Sequence, residues 1–194
     1  MGDIDSAYNF VMRGLLTEEA LDRAGRGDTI SSQFLEQQEI ARLVGLNGLD
    51  EQHVAAARSM SVVYVAIAAF ENSVRELISK TLLENVGENW WVASVSDKIR
   101  AAAQTRADEE EKVRWHAQRG ADPIQYTMLP NLLNIIRLNY VHFEPFVHNI
   151  DWAASIFDTI ERSRNVIMHS GTLDTRDIAR VGSLISDWTR QVST

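Results

Sequence analysis

An all-α fold is predicted by three features of this chain. Proline occurs only at Pro123, Pro130 and Pro145, strand-type alternation is nearly absent, and Ala, Leu, Ile, Glu and Arg recur at helical spacing. With 194 residues, 45% hydrophobic and 24% charged, the chain can bury one good core and has the composition of an ordinary soluble protein. One principal domain is expected, over residues 51–194, with residues 1–50 as an N-terminal helical extension.

In that extension, residues 3–13 and 17–24 read as short helices, with Tyr8, Val11 and Met12 available to one face. Gly25, Gly27 and Asp28 mark a loop, Ser31 or Ser32 can cap a helix running to about Val44, and Gly45 through Gly48 punctuate again. From Asp50 to about Asn85 the pattern predicts one long helix. Its middle, Val62, Val63, Val65, Ala66, Ile67, Ala69 and Phe70, is apolar almost all round, which places it at the centre of a bundle. Val74, Leu77 and Ile78 then share one face, while Glu71 and Arg75 stand four apart on another, the spacing of an ion pair.

Gly87 and Trp90-Trp91 read as a turn, and residues 95–115 as a charged helix in which Asp108-Glu109-Glu110-Glu111 forms a solvated face. Residues 114–126 are a connector. A single helix is expected from Leu129 to Phe143, broken by Pro145. Asp151 can cap a helix in which Trp152, Ile156, Ile160 and Ile167 trace an inward stripe. Asp174 or Thr175 starts the last helix, to about Val192, with Leu173, Ile178, Val181, Leu184, Ile185 and Trp188 as its buried side.

Several function classes are disfavoured at once. There is no cysteine, hence no disulfide, thiolate nucleophile or thiolate metal site. The remaining histidines beside His169 show no ligand spacing, and there is no glycine-rich phosphate loop or Gly-x-Ser-x-Gly turn. No cofactor is expected. The longest apolar run, Met60 to Phe70, is interrupted by Ser61 and stops at Glu71-Asn72, and the N-terminus begins with acids, so neither a membrane span nor a secretory signal is expected. A cytoplasmic location fits these features. The formal charge of −8 repels nucleic acid in bulk, so an RNA-directed protein of this composition needs a local basic site.

The densest chemistry lies in Arg164-Asn165-Val166-Ile167-Met168-His169, just before Ser170-Gly171. Arg164 is a permanent cation able to hold a phosphate through two parallel hydrogen bonds, His169 titrates near neutrality, and Asn165 adds a fixed polar group. On one helix, five positions separate Arg164 and His169 by about 140° and about 7.5 Å of rise, so the two do not aim at one atom. Either the helix ends at His169, or a two-fold axis brings two copies together, or both. The plainer alternative is a surface ion pair for Arg164 and a helix-end histidine favoured by the macrodipole. In the connector, Arg114, His116 and Arg119 offer phosphate contacts and Trp115 a stacking platform, or the segment is a structural loop pinned by Trp115 and Tyr126.

From about Ser61 to Leu184 the chain resembles the HEPN superfamily, more narrowly its Swt-type branch. The resemblance rests on the segment Phe70 to Ile78, Asn89-Trp90-Trp91, the connector from Trp115 to Tyr126, Asn131 to Ile136 with Phe143, and Arg164-Asn165-x-x-x-His169. It implies an all-α HEPN-like bundle that pairs as a homodimer, lines one cleft with both motifs and cuts RNA without metal. On this sequence Arg164 would hold the scissile phosphate, His169 would move the proton, Asn165 would orient either, and Glu71 on the central helix would order the site. One departure stands out. Toxins of the family paired with a nucleotidyltransferase antitoxin carry a modifiable tyrosine two residues beyond the histidine, where this chain has Gly171.

The leading expectation is a metal-independent endoribonuclease acting in defence or stress, held in check by an antitoxin or regulatory protein. A non-catalytic RNA- or nucleotide-binding module and an all-α interaction scaffold are the alternatives.

Overall fold

The computed structural model describes Thr17 and residues 26–113 and 115–193. The helices expected at 3–13 and 17–24 lie essentially outside these residues, as does Arg114. All the regular structure described is helical, without a strand. Two compact units are distinguished, residues 1–54 and 55–194.

In the first unit, α1 spans Arg26–Leu43 and a 3-10 turn follows at Leu46–Gly48. Gly27 and Asp28, read as loop residues, are already helical, so the helix does not begin at Ser31 or Ser32. Glu39 and Arg42 form an exposed ion pair at 2.7 Å near its end.

The long helix α2 runs over Glu51–Val86. Asp50 accepts from the Gln52 amide at 2.9 Å, satisfying a donor at its start. Helices α3 (Trp90–Ser94), α4 (Asp97–Glu111), α5 (Leu129–Leu138), α6 (Tyr140–Phe143), α7 (Ile150–Met168) and α8 (Thr175–Val192) complete the described fold, with a 3-10 turn at Pro123–Tyr126.

The core forms where α2, α7 and α8 meet. Buried Val63, Ile67, Phe70, Val74, Ile78 and Leu82 recur along α2 every three or four residues. Trp188 of α8 is the focus of an aromatic cluster. Its ring centroid lies 5.8 Å from Phe70 and 5.3 Å from Phe157, both edge-on, and 6.1 Å from Trp152, which stacks on it. Phe70 and Phe157 also meet edge-on at 5.6 Å, so three helices share one set of contacts. Helix α5 adds Leu129, Leu132, Ile135 and Ile136.

Several expectations need correction. Helix α2 is not enclosed: Val62 is 72% and Val65 65% exposed, because only one face of this stretch meets the rest of its unit. Although no continuous apolar run is long enough, α2 is also, among the described residues, the helix whose length and mean hydropathy would suffice to cross a membrane. Trp90 begins a short helix instead of remaining in a turn, after Gly87 reverses the chain at φ +93°. Helix α4 stops at Glu111, short of residue 115. The helix expected over Leu129–Phe143 is split at Asn139, whose side chain donates to Ser94 O at 2.9 Å and to Ile135 O at 2.8 Å. Asn149, not Asp151, caps α7, accepting from the amides of Asp151 and Trp152 at 2.8 and 3.0 Å. The cap expected at Asp174 is present, accepting from Arg176 and Asp177 at 2.8 and 2.9 Å.

Replacing Trp188 by Ala removes the shared partner of three aromatic side chains, and should cost about 3–5 kcal/mol of unfolding free energy, measured by urea denaturation.

Candidate functional site

Helix α7 carries the motif in its last turns, and its periodicity decides where each side chain goes. Phe157, Ile160, Arg164 and Ile167 fall on one stripe, at steps of three and four. Phe157 and Ile160 are buried, so the packing that places them turns Arg164 toward α2. Its side chain remains 29% exposed, and Nε lies 3.9 Å from Oε2 of Glu71, a residue only 13% exposed. Asn165 and His169 lie off the stripe and are exposed.

The Glu71 carboxylate is held mainly by its own helix. Arg75 Nη2 donates to Oε1 at 2.5 Å and to the Thr127 carbonyl at 3.1 Å, and Arg75 Nη1 donates to Asn72 Oδ1 at 3.0 Å. Arg75 Nε is buried without a hydrogen-bond partner. What the sequence presents as an ordinary ion pair of one helix is therefore a half-buried junction joining α2, α7 and the segment leaving the connector. Glu161, one turn before Arg164, also belongs to this cluster, and its role was missed in the sequence. Burial pushes its carboxyl above the usual range, Arg164 opposes the shift, and the negative charges of Asp158 and Glu71 add to it. Its spacing of three from Arg164 was the available signal.

The helix ends as the motif ends. His169 closes α7, its amide donating to Asn165 O at 3.1 Å; Ser170 N–H donates to Ile167 O at 3.0 Å and Gly171 N–H to Val166 O at 2.8 Å. This is a Schellman cap, with Ser170 at φ 61° in the left-handed region usually filled by glycine. Gly171 is needed for space instead: a Cβ there would stand 2.7 Å from Val166 Cγ1 and 2.8 Å from Val166 O. A tyrosine at this position would meet the same obstruction. The Asn165 side chain accepts and donates no hydrogen bond among the described residues, and its main chain, not its amide, touches His169.

The connector residues are placed elsewhere. Trp115 is 86% exposed, its ring 5.7 Å from that of His116, whose Nδ1 lies 2.9 Å from Ala117 O. Arg119 is engaged internally, with Nε 2.6 Å from Glu110 Oε1 and its guanidinium carbon 5.7 Å from the Tyr126 ring centre. Tyr126 itself donates to Gly120 O at 3.2 Å, and its carbonyl accepts from Arg106 at 2.9 Å. Among the described residues no hydrogen bond, ion pair or ring contact joins Trp115, His116 or Arg119 to Arg164, Asn165 or His169, nor His169 to Arg164. The structure thus brings Glu71 to Arg164 and leaves the connector side chains apart from them. Among the described residues no group of three or more His, Asp or Glu side chains is arranged to hold a metal.

Comparison with known proteins finds no matching family model, no matching curated protein and no matching solved structure.

Ser170→Gly should stabilise the fold by up to about 1 kcal/mol by relieving the left-handed serine, whereas Gly171→Ala should destabilise it by about 1–3 kcal/mol, both by chemical denaturation. The folded Glu161 carboxyl binds its proton more tightly than the unfolded chain does, so its contribution to stability is present in acid and lost as pH rises through the folded value. Glu161→Gln should raise Tm near neutral pH, with the gain fading as the pH is lowered through the carboxylate range, as followed by circular dichroism melts.

Proposed function

We propose that this chain is a cytoplasmic, metal-independent endoribonuclease of HEPN type, acting as a homodimer whose paired Arg164 and His169 line one RNA-binding cleft. The observation that carries the reading is the end of α7. Among the described residues, a partly exposed guanidinium has its nearest carboxylate beyond hydrogen-bond reach, and an exposed imidazole without a hydrogen-bond partner follows where the helix stops.

Arg164 would bind the scissile phosphate and the charge that develops on it. One His169 would take the 2′-hydroxyl proton as that oxygen attacks phosphorus. As the bond from phosphorus to the 5′-oxygen breaks, a second proton donor is required, because one imidazole cannot be base and acid at once. The second copy's imidazole fills that role. The cut leaves a 2′,3′-cyclic phosphate and a 5′-hydroxyl. Asn165, exposed beside Arg164, would contact the phosphate. Exposed Val62 and Val65 support association of copies. Both lie on the side of α2 away from buried Met60, as an exposed apolar surface.

The acidic balance of the chain requires this cleft to work locally against a net repulsion, so binding should be modest and weaken with salt through the few phosphates that the paired Arg164 side chains contact. A regulatory or antitoxin partner belongs to the same reading of a defence or stress effector. A non-catalytic RNA-binding module is the second reading, favoured because, among the described residues, no second proton-transfer side chain contacts His169.

The test is incubation of the purified protein with mixed RNA in chelator and mapping of the 3′ ends. Arg164→Ala and His169→Ala should each lower cleavage by at least about 100-fold while leaving fold and oligomeric state intact. Cutting that survives both changes places the chemistry elsewhere, and salt-sensitive binding of RNA that stays whole selects the second reading.

A further inference from the structure

The environment of Arg164 contains a competition that the motif does not reveal. A guanidinium proposed to hold a phosphate stands beside the Glu71 carboxylate, and a carboxylate satisfies the same planar fork that a phosphate would. Closure of Glu71 onto Arg164 would occupy the fork and cancel its charge. In the structure that closure does not occur: Glu71 Oε1 is 2.5 Å from Arg75 Nη2, while Oε2 remains 3.9 Å from Arg164 Nε.

The difference has a structural origin. Arg75 does not float on the surface; it is anchored at once to Glu71, to Asn72 Oδ1 and to the Thr127 carbonyl 52 residues away. Thr127 is itself buried, its hydroxyl donating to Ile124 O at 2.6 Å, so the anchor belongs to the packed part of the fold. Glu71 and Arg75 are 13% and 12% exposed, which makes the pair less screened than a surface ion pair.

We propose that Arg75 is a positioning residue that holds the Glu71 carboxylate away from Arg164, keeping the Arg164 guanidinium open to an RNA phosphate. This rests on the phosphate-binding role of Arg164 given above. Glu71 in this arrangement is a restrained competitor, not an aid to the site. Removing Arg75 strands a half-buried carboxylate whose nearest remaining cation is Arg164, and the two close on each other. Removing the Glu71 charge as well releases Arg164 again.

The experiment measures binding of a 2′-O-methyl oligonucleotide, which lacks the attacking hydroxyl, to Arg75→Gln, Glu71→Gln, the double variant and Arg164→Ala. Circular dichroism melts confirm that each is folded. Arg75→Gln should weaken binding about tenfold, the loss expected for one charge-assisted contact, and the double variant should return to within about threefold of the parent protein. Glu71→Gln alone should tighten binding by about two- to threefold.

A double variant as weak as Arg75→Gln would show that Arg75 acts through general structure and would overturn the proposal. Weaker binding by Glu71→Gln would overturn it too, even if Arg75→Gln does not fold, because a competitor cannot be missed by the site it blocks. Arg164→Ala that binds like the parent would instead sink the phosphate-binding reading itself, an outcome separate from the other two.

Discussion

Packing of Phe70, Phe157 and Trp188 against one another joins α2, α7 and α8, and it sets the rotation of α7 about its own axis. That rotation determines the candidate site. Arg164 follows Phe157 by seven residues, close to two full turns, so the stripe that buries Phe157 brings Arg164 against α2 at the edge of the core. Glu71 follows Phe70 directly and so stands beside the same contact. The position of the ion-pair cluster is therefore a consequence of aromatic packing, with electrostatics acting on groups already placed.

The same helix separates the motif's two chemical groups. Asn165 and His169 fall outside the inward stripe, at positions where side chains reach solvent. An intact α-helix cannot point residues five apart at one atom, and the Schellman cap ends the helix only at His169, too late to change the direction of Arg164. Within one chain the guanidinium stands at the edge of the core beside Glu71, and the imidazole is exposed at the helix end. A reaction that needs both must draw them from a shared surface between copies, or use them on successive parts of an extended substrate.

Charge is arranged with equal economy. The chain is acidic overall, and the Arg164 cation stands 3.9 Å from Glu71 and interacts electrostatically with Glu161. This is a small cationic site in an acidic chain, not a basic stripe of the kind that tracks a long nucleic acid. Phosphate recognition in such a place depends on how firmly the carboxylates are held. Arg75, clipped to the Thr127 carbonyl, connects that restraint to the segment that leaves the connector.

Helix content, the long central element and the cap at Asp174 were legible in the sequence because each depends on local rules: apolar spacing, the scarcity of proline, and a side-chain oxygen before a helical run. Asn139 and Asn149 were not. Asn139 breaks a helix by reaching Ser94, 45 residues away, and Asn149 takes the capping role that Asp151 could fill by composition. The pairing of Glu71 with Arg75 was likewise visible as spacing, but its conversion into a junction with Arg164 and Thr127 was not, since those partners come from distant parts of the chain. By itself the sequence determined an all-helical chain carrying an Arg-Asn-x-x-x-His motif at a helix end. Only the tertiary structure decided that Arg164 faces a restrained carboxylate while His169 faces solvent, because a helix's periodicity is local and the neighbour on each of its faces is not.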